Sequence, residues 1–131
     1  MIPENVAALS PAEAREIFRG GLVTPTSGWC AGYAQANLII VPKDYAFDVL
    51  LFAQRNPKPC PILGVLDAGE ITGPLLAGGD IRTDVPAYTI YRDGELVETV
   101  TSLVDHWTDD LVTFIIGCSF TFEAPMLAAG I

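Results

Sequence analysis

Four short segments hold the side chains best suited to chemistry. Lys43 and Asp44 fall together at a strand-to-helix junction, the place where open α/β sheets put ligands. Gln54, Arg55, Asn56 and Lys58 follow within one run, two cations and two amides on a proline-rich stretch. Asp80, Arg82, Thr83 and Asp84 pack two acids, a guanidinium and a hydroxyl into five residues. Cys118 and Ser119 come after Gly117, where a thiol or hydroxyl at a new helix N-terminus would be activated by the dipole. Ser119 with Glu123 reads equally well as a capping box. A guanidinium can clamp a carboxylate with two parallel hydrogen bonds, and carboxylates supply general acids and bases. The same residue types also serve as caps and surface ion pairs. His106 is the one imidazole, a residue more often packed or solvated than catalytic.

The elements that must position these groups can be read from local signals. Ser10-Pro11-Ala12-Glu13 combines an N-cap, a first-turn proline and a capping-box glutamate, so a helix starts there. Leu9, Ala14, Ile17 and Phe18 form its apolar face, Gly20-Gly21 ends it, and its role is packing. Residues 22–32 make a loop of small and turn-forming residues without any phosphate-cradling glycine motif. Residues 35–41 read as a buried strand, and 43–55 as a largely buried helix with Asp44 as its N-cap. That helix is about 20 Å long at ~1.5 Å per residue, so its two ends cannot line one small pocket unaided. Pro57, Pro59 and Pro61 stiffen the next stretch into an extended path, which is also what a rigid linker needs. Residues 62–66 form a short strand, with a further strand at 75–77. Asp93-Gly94 between alternating runs marks a two-residue hairpin over 88–100. Thr108 with Asp109 and Asp110 reads as a helix start, 111–118 as a buried apolar run, and 121–129 as a last helix with Pro125 in its first turn. The expectation is an α/β protein, a mixed sheet with flanking helices. Residues 1–61 and 102–131 form its main layer, and 62–101 a small β-rich, hairpin-containing α+β subdomain.

Composition narrows the function. Half of the 131 residues are hydrophobic, which excludes a disordered chain. No apolar run approaches the ~20 residues of a membrane span. The net charge is −9, and it is lopsided. Residues 1–65 carry five acids and five bases, whereas 66–131 carry eleven acids against Arg82 and Arg92. Nucleic acid and anionic membranes are thus poor partners, while the cations of the first half could converge on a small anion. Cys30, Cys60 and Cys118 are too widely spaced, with one histidine, for a zinc site. They read as buried, reduced thiols. The first twenty residues lack the basic start and apolar core of a secretory signal. A cytoplasmic protein without metal or cofactor is the expectation.

Five segments occur in order: Gly32-Tyr-Ala-Gln-Ala-Asn-Leu38, Pro42-Lys-Asp-Tyr-Ala-Phe-Asp48, Gln54-Arg-Asn-Pro-Lys-Pro-Cys-Pro61, Asp80-Ile-Arg-Thr-Asp84 and Gly117-Cys-Ser-Phe-Thr-Phe-Glu123. Together they resemble the D-glutamate cyclase and hydro-lyase family, over residues 12–131. The resemblance implies an α/β protein with a smaller α+β subdomain. For the animal mitochondrial relative it implies conversion of D-glutamate to 5-oxo-D-proline with loss of water. It also implies that this chain corresponds to the N-terminal half of a family whose members are roughly twice as long. On that basis Arg55 and Arg82 would bind a carboxylate, with Lys43, Gln54, Asn56, Lys58 and Thr83 as further substrate contacts. Asp44 or Asp84 would be acid or base, and Cys118 and Ser119 donors or nucleophile. The partner would be a small acidic metabolite, with a homo-oligomer or pairing to a C-terminal half as the assembly. The alternatives are a non-catalytic module that binds an acidic metabolite, or an inactive N-terminal fragment that needs its second half.

Overall fold

A computed structural model describes residues 2–130, apart from the side chains of Glu123 and Ala124. Helix α1 spans Pro11–Arg19 and starts as its sequence dictates. Ser10 Oγ accepts from the Glu13 amide at 3.2 Å, and the Glu13 carboxylate accepts from the Ser10 amide at 3.1 Å. Its apolar face closes a small core. Ala14 and Phe18 pack on Trp29 and Cys30, with Val6, Leu9, Ile17 and Leu22 around them. The Phe18 and Trp29 rings lie 4.8 Å apart. Backbone bonds from Cys30 to Val6 and from Ala31 to Ala7 tie the following loop under the helix.

Strand β1 (Ala36–Pro42) runs directly into helix α2 (Lys43–Arg55), and β2 covers Ile62–Leu66. Strands β3 (Tyr88–Arg92) and β4 (Glu95–Val100) form the expected hairpin. Its turn holds Asp93 at φ 52° and Gly94 at φ 80°, the left-handed pair that a two-residue hairpin loop requires. Strand β5 (Leu111–Gly117) and helix α3 (Glu123–Ala128) complete the chain. Among the described residues there are two sheets, one ordered β1-β5-β2 and one made of β3 and β4. The α/β class stands, and every pairing is antiparallel, without the parallel pairs of a mixed sheet. Strand β2 bonds to β5, so residues 62–66 lie in the sheet of the main layer.

Several local expectations give way to tertiary context. Residues 108–110 turn rather than start a helix, and 111–117 is the central strand. Val112, Thr113, Ile115 and Ile116 are β-branched, and pairing on both sides decides the matter. Thr113, between Ile40 and Leu66, is fully buried, and its hydroxyl has no hydrogen-bond partner among the described residues. Residues 74–76 form a 3-10 turn instead of a strand, because Pro74 favours a helical turn start. The segment after α2 is a turn, not an extended path, closed by the Cys60 amide on the Asn56 carbonyl at 3.0 Å. The last helix begins at Glu123 after a 3-10 turn over Ser119–Phe122; the expected capping contact of the Glu123 side chain lies outside the described residues. Asp44 does not cap α2. Pro42 holds the N-cap position, and Lys43 donates its amide to the Asp110 carbonyl at 2.8 Å.

The largest departure concerns burial. One face of the sheet, with Val112, Phe114 and Ile116, packs on Ala46 and Val49 of α2 and on Val41 and Ile62. Beyond those contacts α2 is open. Only Ala53 is buried, whereas Tyr45, Phe47 and Phe52 are 61%, 69% and 62% exposed. Strand β1, expected to be buried, is half exposed, because it is an edge of a three-stranded sheet.

Candidate functional site

A cleft of about 1220 Å³ opens between α1, the loop of residues 23–35, β1 and the segment of 80–92. Its polar lining includes Arg15, Gln35, Asn37, Asp80, Asp84 and His106. Gln35 is committed to the loop. Its carboxamide oxygen accepts from Thr26 Oγ1 at 2.7 Å, and its nitrogen donates to the Thr26 and Trp29 carbonyls at 2.8 and 3.2 Å.

The 80–84 segment forms a closed ionic hub on the cleft wall. Asp84, only 4% exposed, accepts from Arg19 Nε and Nη2 at 2.7 and 2.6 Å. It also accepts from Thr83 Oγ1 at 2.7 Å and from the Asp80 amide at 2.9 Å. Burial pushes the Asp84 carboxyl up, but these donors, Arg19 foremost, outweigh it and hold its pKa at about 2. Asp80 is held below the usual carboxylate range by hydrogen bonding from Arg82, whose Nη2 lies 2.8 Å away. The Arg82 carbonyl accepts from the Leu103 amide at 2.8 Å, anchoring the hub to the segment before β5. Tyr88 is buried, which raises its phenol, and it donates to the Ile81 carbonyl. Arg82, Thr83 and Asp84, expected to meet a substrate, thus meet one another and their neighbours.

The remaining expected site residues lie elsewhere. Lys43 and Asp44 are exposed at the start of α2, and Gln54, Arg55 and Lys58 are exposed at and beyond its end. Asn56 donates its side-chain Nδ2 to the Phe52 carbonyl at 2.8 Å, closing the last turn. Cys118 is half-buried and Ser119 exposed, beside the turn that leads to α3. Of all these groups, only Asp84 lines the cleft. The antiparallel sheet explains part of this. The ligand-binding crevice expected beside Lys43 belongs to parallel sheets, where the strands' carboxyl ends line up. Cys30 is buried, which pushes its thiol up, and all three cysteines are unbridged.

Two residues of α1 carry more of the site than its apolar pattern announces. Arg19 neutralises Asp84. Arg15, one turn earlier, lines the cleft and rests on the Gly79 backbone. A Cβ at Gly79 would come within 2.9 Å of Arg15 Nε and would push that side chain aside. Arg15 Nη2 reaches the Ala77 carbonyl only at 3.5 Å, and Arg15 forms no ion pair among the described residues. The i, i+4 spacing of Arg15 and Arg19 was the available signal, since it puts both on one flank of α1. His106 also lines the cleft, with Nε2 3.5 Å from a Glu98 carboxylate oxygen. No group of three or more candidate metal ligands is present among the described residues.

The fold and cleft define an α/β chain with two antiparallel sheets and a guanidinium-bearing wall. No family model matches it. It is 70% identical, over 97% of its length, to a protein of Mycolicibacterium gilvum named "Putative hydro-lyase". It is 62% identical to one of the same name from Corynebacterium glutamicum and 53% to one from Nocardioides sp., over 97% and 98% of its length. The matched spans are 48%, 50% and 47% of those relatives, so the chain spans about half the length of the curated relatives it matches. No helix among the described residues is long and apolar enough to cross a membrane.

Proposed function

We propose that this chain contributes to a hydro-lyase acting on a small acidic substrate, with D-glutamate as the substrate and 5-oxo-D-proline and water as products. The observation that carries the reading is the 70% identity, across nearly the whole chain, to a protein named for that reaction class. The D-glutamate assignment rests on the five ordered segments and on a cleft lined by Arg15 and Arg92, neither in an ion pair among the described residues.

The chemistry joins the amino nitrogen of glutamate to its own γ-carboxyl carbon. A C–N bond forms, a C–O bond of the γ-carboxyl breaks, one oxygen leaves as water, and protons from the ammonium group move to it. Of the two arginines lining the cleft, Arg15 and Arg92, Arg15 offers its guanidinium to the substrate's α-carboxylate in this reading, where two parallel hydrogen bonds would set its orientation. His106, beside Glu98, is the proton carrier in this reading. Asp84 holds its proton so weakly that it serves the hub rather than acid–base exchange. Lys43, Asp44, Gln54, Arg55, Asn56, Lys58, Cys118 and Ser119 stand outside the cleft. In this reading they act where further polypeptide meets α2 and α3.

The test is turnover of D-glutamate with L-glutamate as control, followed by NMR for 5-oxoproline. It is run on the chain alone and joined to the remaining part of the M. gilvum relative. Product from D-glutamate only is the expected result. Arg15→Ala should raise KM about 10- to 100-fold with a smaller change in kcat, as loss of a charged hydrogen-bond partner does. No turnover of either enantiomer in the joined chain refutes the substrate. An unchanged KM in Arg15→Ala refutes the assigned cation.

A further inference from the structure

The outer face of α2 is built like the centre of an interface. Tyr45 and Phe52 stand more than half exposed on one flank of it, and Phe47, with Leu50 beside it, is exposed on the other. The sheet continues the patch. Ile39 and Val65 flank Phe114 in one cross-strand row on the face that α2 covers, and both are exposed while Phe114 is buried. Aromatic residues at the middle with charged residues at the margin is the composition of a protein–protein contact rather than of a solvated face. Here Lys43, Asp44 and Arg55 stand at the two ends of the helix, and Asp48 is an exposed charge between its aromatic flanks.

We propose that this face seats the half of the polypeptide that the longer relatives carry outside the matched span. Two observations and one general argument select that occupant. The relatives contain about as much chain again as they share with this one, and the two parts occur there in equal number. A tethered segment meets its surface at high effective concentration, which favours cover from within the same polypeptide. Strands β1 and β2 are both edges of the three-stranded sheet, so the patch adjoins backbone able to accept another strand. The proposal does not depend on which substrate is turned over.

The experiment co-expresses the 131-residue chain with the remaining part of the M. gilvum relative. It measures complex formation by size exclusion with mass detection and amide exchange by mass spectrometry. The expected result is a 1:1 heterodimer in which exchange across residues 45–52 slows at least 10-fold while that across α1 is unchanged. The paired substitution Phe47→Asp and Phe52→Asp should weaken the complex at least 100-fold. Leu96→Asp, on the exposed hairpin, should leave it intact. A heterodimer with unchanged exchange in α2 overturns the proposal. So does a paired variant that binds as tightly as the parent, a homodimer through α2 that the added chain does not displace, or no complex at all. The exchange measurement uses the unsubstituted chain, so it decides the matter even where the paired variant fails to fold.

Discussion

Helix α1 is nine residues long and finds what it needs within the chain. Its first turn is capped, its apolar face meets Trp29 and Cys30, and its last residue, Arg19, reaches Asp84. Helix α2 is longer, thirteen residues, and more apolar, yet only Ala53 of it is buried. The capping side chain that α1 has is absent from α2, whose N-cap is Pro42. The difference shows that hydrophobic content alone does not predict burial: a helix rich in Phe and Leu is buried only where other elements pack on it.

The two helices should therefore respond oppositely to substitution. Phe18→Ala in α1 removes a buried ring stacked near Trp29 and should cost about 3–4 kcal/mol, read from the urea midpoint. A cost under ~1 kcal/mol would mean that the α1 core is as loose as the outer face of α2. The second effect is acid lability at the Arg19–Asp84 contact. The folded Asp84 carboxyl titrates at about 2, below its unfolded value, so the stability it adds is complete at neutral pH. That contribution, of order 2 kcal/mol, is lost as pH falls from about 5 through about 2. Asp84→Asn should flatten this part of a stability-against-pH curve, and a slope equal to the parent's would remove the hub from the account. The smallest effect belongs to α2. Phe47→Ser should change the stability of the 131-residue chain by no more than about 0.5 kcal/mol and lower its tendency to associate. A loss above ~2 kcal/mol would place Phe47 in a core and erase the contrast between the helices.

The candidate site was legible only in pieces. The 80–84 segment was visible as a cluster of acids and a guanidinium, but which cation meets which acid was not. Arg82 turns to Asp80, two residues away, and Asp84 takes Arg19 from 65 residues earlier. Arg15 sits on a helix whose pattern spoke of packing alone, and in the cleft its side chain lies against the Gly79 backbone. The residues at the ends of α2 are rich in chemistry but converge on no cleft among the described residues. Their types named what they could do, and the fold spread them along an open surface.

The sequence by itself determined the elements whose signals act over a few residues. Ser10 and Glu13 cap α1, Asp93-Gly94 turns the hairpin, and α2 starts and stops between Pro42 and Pro57. For α1 and the hairpin the atoms that satisfy the backbone are neighbours in the chain, and for α2 the prolines at either end set the limits locally. The tertiary structure alone decided the rest. It made residues 111–117 a central strand, although acids and a threonine before them imitate a helix start. It joined Arg19 to Asp84, and it left the aromatic face of α2 uncovered. Strand pairing, ion pairing and burial are set by groups tens of residues apart, and no local pattern encodes where those groups will stand.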